Sequence, residues 1–127
     1  MGVIVVDTSV LIDNLRADPD AVVALDRARD DRNQVVASVI TKAELLAGMR
    51  AREPRTTYAL LDVIDWVAVS EEIADLGGAM ARRYRTSHQG IGLPDYLIAA
   101  TAEHLGAELW TRNPRHFPMF PDLRPPY

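Results

Sequence analysis

The sequence predicts an α/β domain with a central, mainly parallel sheet of four to five strands flanked by helices. Short apolar runs alternate along the chain with segments in which apolar residues recur at helical spacing. This alternation is typical of parallel strands joined by right-handed crossovers. The chain has 127 residues, the size of one ordinary domain, and no linker or repeat divides it. We therefore expect a single domain over residues 1–127.

Four apolar segments predict the strands. The first, residues 2–6, is apolar on both faces, as in a central strand of a parallel sheet. Three more segments follow over residues 33–38, 66–69 and 107–111. The end of the chain is rich in proline, so we expect it to be irregular, with at most one short edge strand near Leu123.

Capping residues and prolines predict where the intervening helices begin. Thr8 and Ser9 open a short helix, and Asp18 followed by Pro19 forms an N-cap with the first helical residue. The later helices are predicted to begin near Thr41, Pro54, Ser70 and Pro94, and Gly106 ends the last one.

Composition restricts the classes of function. The chain has no cysteine, which excludes disulfides, thiolate metal sites and cysteine nucleophiles. No apolar run approaches the roughly 20 residues of a membrane span, and no secretory signal is evident, so we expect a cytoplasmic protein that does not bind membranes. The net charge of -4 is unusual for a nucleic-acid binder. However, 13 of the 14 basic residues are arginine, which is suited to forked contacts with phosphate.

Acidic residues follow the predicted strands at the edge where α/β sheets carry their sites. Asp7 comes directly after the first strand, Glu44 lies in the helix after the second, and Asp95 lies in the first turn of the helix before the fourth. Sites in such sheets form beyond the carboxyl ends of the strands. We therefore expect these three acids to converge, with Asn113 beside them.

Three clustered carboxylates repel one another, and a divalent cation is the simplest compensation. Hard oxygen ligands favour Mg²⁺ or Mn²⁺ over zinc, and such an ion suits phosphodiester chemistry. Each residue alone also has a plainer role. Asp7 would cap a helix, Glu44 would face solvent, Asp95 would favour the helix dipole, and Asn113 would form a turn before proline. Thr8 and Ser9 are either ordinary caps or donors that orient Asp7.

Four ordered segments resemble the PIN-domain nucleases, and most closely the VapC toxins of toxin–antitoxin systems. They are VVDTSVLI over residues 5–12, SVITKAEL over 38–45 with Gly48, LPDYLIAA over 93–100, and LWTRN over 109–113. The resemblance covers the chain from Val3 to about Pro121, in the right order.

This resemblance implies a PIN-like, Rossmann-like three-layer sandwich and a Mg²⁺-dependent endoribonuclease in which Mn²⁺ can substitute. Such an enzyme would cut single-stranded or loop regions of structured RNA, either tRNA or rRNA, to 5′-phosphate and 3′-hydroxyl ends and so inhibit translation. The implied partners are a small VapB-type antitoxin and a second copy of the chain. The metal ligands carry over as Asp7, Glu44 and Asp95, with Thr8 and Thr111 as supporting groups. Asn113 stands where many PIN domains have a fourth acid, so it is a neutral catalytic candidate.

Several cations could contact the substrate or an acidic antitoxin tail. Arg112 and Arg115 flank the predicted acidic site in sequence, and Arg82, Arg83 and Arg85 form a second stripe near His88. The plainer interpretation is that each arginine is only solvated. His88 and His116 are candidate acid–base groups.

Other functions also occur on α/β chains of this kind. A phosphoacceptor receiver domain needs a lysine after the last strand, but the only lysine is Lys42. A haloacid-dehalogenase-like phosphatase needs an acid two residues after Asp7, where the chain has Ser9. The remaining alternative is a degenerate PIN module that binds RNA or an antitoxin without cutting, an interpretation that the neutral Asn113 keeps open.

Overall fold

The computed structural model describes residues 2–127, and within this range it has one sheet of four parallel strands with helices on both faces. The strand order is β3-β2-β1-β4. The elements, in chain order, are β1 (Val3–Val6), α1 (Thr8–Leu15), α2 (Pro19–Asp30), β2 (Gln34–Ser38), α3 (Val39–Ala47), α4 (Pro54–Val63), β3 (Asp65–Val67), α5 (Glu71–Tyr84), α6 (Leu93–Leu105) and β4 (Glu108–Trp110). A short 3₁₀ helix, Pro114–His116, follows β4. The predicted α/β, three-layer architecture is confirmed.

Strand β1 is central because it is apolar on both faces. Val5 lies opposite Val36 of β2 and Leu109 of β4 in the parallel register. One face of the sheet packs against α1, α2 and α4, and the other packs chiefly against α5 and α6. Buried apolar area of this kind contributes about 25 cal/mol per Å² removed from water.

Local signals set the helix ends largely as predicted. The Asp18 side chain accepts hydrogen bonds from the first turn of α2, and Ser70 Oγ accepts one from the backbone N–H of Ile73 at 3.2 Å. Gly106 ends α6 with φ +60°, a left-handed conformation that glycine adopts without strain.

One boundary prediction was wrong. Helix α3 begins at Val39 rather than near Thr41, because Ser38 Oγ accepts the backbone N–H of Ile40 at 3.1 Å and caps the helix two residues earlier. The end of the chain is irregular, as expected, and no strand forms near Leu123 within the described residues. Prolines at 121, 125 and 126 lack the N–H group that strand pairing needs.

The topology places the carboxyl ends of β1, β2 and β4 side by side. The backbone N–H of Asp7 donates to the carbonyl of Trp110 at 3.0 Å, which extends the β1–β4 pairing to the point where both strands end. Helix α5 packs along α6, and Gly77 of α5 lies against Leu97. No helix among the described residues is long and apolar enough to cross a membrane.

Candidate active site

Asp7 follows β1 directly and is the most buried of the three predicted acids, with only 5% of its surface exposed. Its Oδ1 accepts hydrogen bonds from the Ser9 hydroxyl at 2.6 Å and from the backbone N–H of Val10 at 3.3 Å. Its Oδ2 accepts a short hydrogen bond from the Thr111 hydroxyl. Asp7 therefore caps α1, as the plainer interpretation held, and it also presents a buried carboxyl group at the end of the sheet.

Burial raises the pKa of the Asp7 carboxyl above its ordinary value, because the charged form is separated from water. The hydroxyls of Ser9 and Thr111 and the backbone N–H groups of Val10 and Ser9 lower that pKa without overcoming the effect of burial. The protein thus holds a carboxylate where its negative charge is poorly solvated, a position that a bound cation would stabilise.

Glu44 projects from α3 and is exposed. Its Oε1 accepts a hydrogen bond from the Thr8 hydroxyl at 2.6 Å. The Oγ1 of buried Thr41 lies 3.2 Å from Thr8 Oγ1, so Thr8 bridges α1 and α3. Thr8 therefore orients Glu44, not Asp7 as one sequence interpretation held.

Asp95 lies in the first turn of α6 and is partly buried. Its Oδ2 is 3.1 Å from His116 Nδ1. Burial raises the pKa of the Asp95 carboxyl, His116 lowers it, and the negative charges of Glu44 and Asp7 raise it further. The three acids therefore interact electrostatically at one edge of the sheet.

The three carboxyl groups are nevertheless held by different donors. Among residues 2–127, no three His, Asp or Glu side chains are spaced to hold a metal ion as they stand. Metal binding by Asp7, Glu44 and Asp95 thus stays a prediction, and it requires side-chain adjustment. The donor chemistry fits the prediction, since all three groups are hard oxygen ligands and two have a penalised charged form.

Asn113 is exposed and comes just before the 3₁₀ helix. Its backbone N–H donates to Thr111 Oγ1 at 3.0 Å, so Thr111 links Asn113 to Asp7. The turn role before Pro114 is thus present, whereas a catalytic role for the Asn113 side chain stays a prediction.

The predicted cations differ in what they contact. The guanidinium of Arg112 lies 4.6 Å from the centre of the Tyr127 ring, and Arg112 Nη1 is 3.4 Å from Asp13 Oδ2. The backbone N–H of Arg112 also donates to Ser9 Oγ at 3.0 Å. Arg115 is exposed after β4. The Arg112 side chain is therefore already in contact with Asp13 and Tyr127.

On the second stripe, Arg82 and Arg85 are exposed at the end of α5, and Arg83 stacks over Tyr84 at 5.3 Å. His88 lies edge-on to Tyr84, with 5.7 Å between ring centres. A substrate or antitoxin contact by these residues stays a prediction.

Comparison with known proteins identifies the family. The sequence profile of the PIN domain matches residues 4–121. The chain is 48% identical over 122 residues to ribonuclease VapC19 of Mycobacterium tuberculosis, covering 96% of this chain and 98% of that protein. It is 47% identical over 124 residues to ribonuclease VapC10 of the same organism, covering 98% and 92% respectively. The chain belongs to the PIN domain family, and within it to the VapC ribonucleases.

Solved structures agree with this assignment. A toxin–antitoxin complex from Klebsiella pneumoniae contains a chain similar to this one, with a TM-score of 0.80, 30% identity and 97% of both chains covered. VapBC-1 from nontypeable Haemophilus influenzae gives a TM-score of 0.76 at 26% identity, covering 96% of this chain and 95% of that one.

Two contacts of this PIN domain were missed by the sequence analysis. His116 was considered only as an acid–base group, whereas it contacts Asp95, 21 residues away. Thr41 was considered only as a helix start, whereas it is fully buried beside Thr8. A polar residue at an apolar helical position was the available signal for Thr41, but no sequence signal pairs His116 with Asp95.

Proposed function

We propose that this VapC ribonuclease is the toxin of a type II toxin–antitoxin pair and a metal-dependent endoribonuclease that cuts structured RNA, either tRNA or rRNA, to inhibit translation. The observation that supports this most directly is the electrostatic coupling of Asp95 with Glu44 and Asp7 at one edge of the sheet. A coupled set of oxygen ligands beside exposed arginines suits hydrolysis of a phosphodiester.

Asp7, Glu44 and Asp95 would hold Mg²⁺, or Mn²⁺ as a substitute. When bound, the ion supplies charge neutralisation and activation of water for attack on phosphorus. The chain's own residues prepare the site for it. The hydroxyls of Ser9 and Thr111 hold the two oxygens of the Asp7 carboxylate. The three carboxylates repel a negatively charged phosphate, so RNA can approach them only when a cation compensates their charge.

The side groups of the site have distinct tasks in this proposal. Thr8 holds Glu44, and His116 holds Asp95. Asn113, exposed at the end of β4, offers a neutral oxygen ligand on the side of the site that lacks a fourth acid. Arg115 contacts the RNA backbone, and we extend the same role to Arg82 and Arg85. Arg112 takes this role only if it leaves Asp13 and Tyr127.

A VapB-type antitoxin is the proposed protein partner. Among the similar structures, one is named as a toxin–antitoxin complex and another as VapBC-1. We also propose a homodimer and action in the cytoplasm, where such RNA substrates are found.

The experiment is cleavage of total cellular RNA by the purified protein, freed of any antitoxin, with Mg²⁺, with Mn²⁺ and with EDTA. Asp95→Asn is the test variant, because it keeps the shape of the side chain and removes its charge. Thr101→Ser, a change within buried α6, checks that substitution in this helix alone does not stop cleavage. Mapping of the RNA ends identifies the cut.

A few discrete cuts that require metal and disappear with Asp95→Asn would support the proposal. Cleavage that persists in EDTA would contradict the metal assignment. A folded wild-type protein that binds RNA or antitoxin but never cuts would favour the degenerate binding module, and Asn113→Asp would then be the first variant to make.

A further inference from the structure

A groove of about 840 Å³ adjoins the acids, between the loop that joins α5 to α6 and the segment that follows β4. Asn113 and His116 line this groove. His116 also contacts Asp95 through Nδ1 at 3.1 Å. The groove is therefore continuous with the candidate active site and begins at its edge.

The charge of the groove is opposite to that of the chain. The chain has 18 acidic residues and a net charge of -4, yet the lining includes no acid and contains two arginines and two histidines. Asp122 lies between two lining residues in sequence and is itself outside the lining. Two further cavities of about 580 and 600 Å³ do have acidic lining residues. The acid-free lining thus distinguishes this groove from other concave surfaces of the molecule.

One cation of the groove is available for a ligand. Arg112 is engaged by Asp13 and Tyr127. Arg115 is exposed and forms no ion pair within residues 2–127. A guanidinium in this state can form forked hydrogen bonds with a phosphate.

The walls of the groove suit unstacked bases. Phe117 is fully buried beneath it, and Phe120 and the His88 ring lie along it. Ser87 Oγ holds the His88 ring at 2.9 Å from Nδ1, and three prolines restrict the backbone of the opposite wall. Aromatic and imidazole rings bind single-stranded bases by stacking, whereas the bases of an intact A-form helix are enclosed.

We propose that this groove binds the single-stranded nucleotides that flank the cut bond, with Arg115 on a phosphate and bases against the His88 and Phe120 rings. The inference rests on the proposed ribonuclease function and extends it by assigning the surface that holds these nucleotides and the residues that contact them. A volume within the roughly 300–1,000 Å³ of ordinary ligand sites suits one or two nucleotides.

The test measures binding of a short fluorescein-labelled oligouridylate to the full chain by anisotropy, in Mg²⁺ and with the catalytic change Asp95→Asn in every sample to prevent cleavage. Arg115→Ala removes the free cation, and Gln89→Glu places an acid on the exposed loop of the groove. Both are expected to raise Kd roughly 5- to 10-fold, and Arg115→Ala to reduce the slope of log Kd against log salt by about 0.7.

Matched controls lie elsewhere in the fold. Arg55→Ala removes an exposed arginine from α4, and Gln34→Glu makes the same amide-to-acid change at the exposed start of β2. Neither residue lines the groove, so both control variants should bind the oligonucleotide with the Kd of the parent. In parallel, 4-thiouridine in the oligonucleotide should crosslink on irradiation to peptides within residues 86–92 and 113–121.

The outcomes separate this inference from the proposed function. Groove and control variants with equal Kd values, or crosslinks only outside the groove, would overturn the inference. The ribonuclease proposal fails separately if the protein with Asp95 intact, given Mg²⁺ or Mn²⁺, hydrolyses neither RNA nor bis(p-nitrophenyl) phosphate, a diester too small to need the groove.

Discussion

Replacing Thr111 with valine tests how the protein keeps a charged carboxyl group buried. Thr111 is fully buried, and its hydroxyl donates a hydrogen bond to Asp7 Oδ2. Thr111 Oγ1 also accepts a hydrogen bond from the backbone N–H of Asn113 at 3.0 Å. Valine has nearly the same shape, so Thr111→Val removes these two hydrogen bonds and changes the packing little.

The magnitude follows from the two bonds. A hydrogen bond to a charged group contributes about 1.5–3 kcal/mol, and a neutral one about 0.5–1.5 kcal/mol. Since water can partly replace the bond to the exposed Asn113, we expect the free energy of unfolding to fall by roughly 2–4 kcal/mol at neutral pH. For a domain of this size each kcal/mol corresponds to about 4 °C in Tm.

The loss should depend on pH. The Thr111 hydroxyl lowers the pKa of the Asp7 carboxyl, so the variant raises that already elevated pKa further. When Asp7 is protonated, the hydrogen bond that the variant lacks is one to a neutral group and no longer one to a charged group. The difference in stability between the parent and Thr111→Val should therefore decrease as the pH is lowered through the titration of Asp7.

The assay is urea unfolding followed by tryptophan fluorescence, in EDTA, at neutral and acidic pH. Thr101→Val is the control, because Thr101 is also fully buried but its hydroxyl donates to the backbone carbonyl of Leu97 at 2.8 Å. The control should cost about 1 kcal/mol at both pH values. An equal cost for the two variants at neutral pH, or a pH-independent cost for Thr111→Val, would refute this reasoning.

Three other outcomes are expected. Asp7→Asn should raise the free energy of unfolding in EDTA at neutral pH, because the elevated pKa of Asp7 means that the parent loses stability as this residue ionises. The gain should disappear at low pH, where Asp7 of the parent is protonated in both the folded and the unfolded state. Urea titrations at several pH values check this. Gly78→Ala should stabilise α5 by about 0.5–1 kcal/mol through helix propensity. Gly77→Ala should lack this gain, because its Cβ would lie 2.8 Å from Leu97 Cδ2. Thermal unfolding of the two variants tests this, and equal Tm values would contradict the α5–α6 contact. His116→Ala should move the acidic limb of the pH–activity profile to higher pH, because His116 lowers the pKa of Asp95; an unmoved limb would count against that contact.

The sequence predicted the strands and the position of Asp7 well, because both depend on local pattern. A five-residue apolar run followed by an acid and two hydroxyl residues fixes the end of β1 and the start of α1 together. The start of α3 was misjudged because Ser38 serves at once as the last residue of β2 and as the cap of the helix. Because Ser38 suits both the end of a strand and the cap of a helix, the local pattern is compatible with more than one start for α3.

Contacts between distant segments could not be predicted in the same way. Arg112 was interpreted either as a phosphate contact or as a solvated side chain, whereas it contacts Asp13 and Tyr127, which lie far away in the chain. Its pairing depends on where the proline-rich end of the chain runs after β4, and proline content predicts only that this end is not a regular strand. Side-chain pairing of this kind is decided by tertiary packing, to which local spacing gives no access.

The three acids of the site differ in burial and in the number of hydrogen bonds that hold them, and this difference bears on how they would bind a cation. Asp7 is buried and fixed by hydroxyl and backbone donors on both carboxyl oxygens. Glu44 is exposed and has one recorded hydrogen-bond donor, Thr8. Asp95 lies between these extremes, with His116 as its partner. Since the groups are not spaced for a metal as they stand, we expect the exposed Glu44 side chain to be the one that moves when a metal binds. Asp7 would then act as the fixed ligand, and Glu44 as the one that closes around the ion.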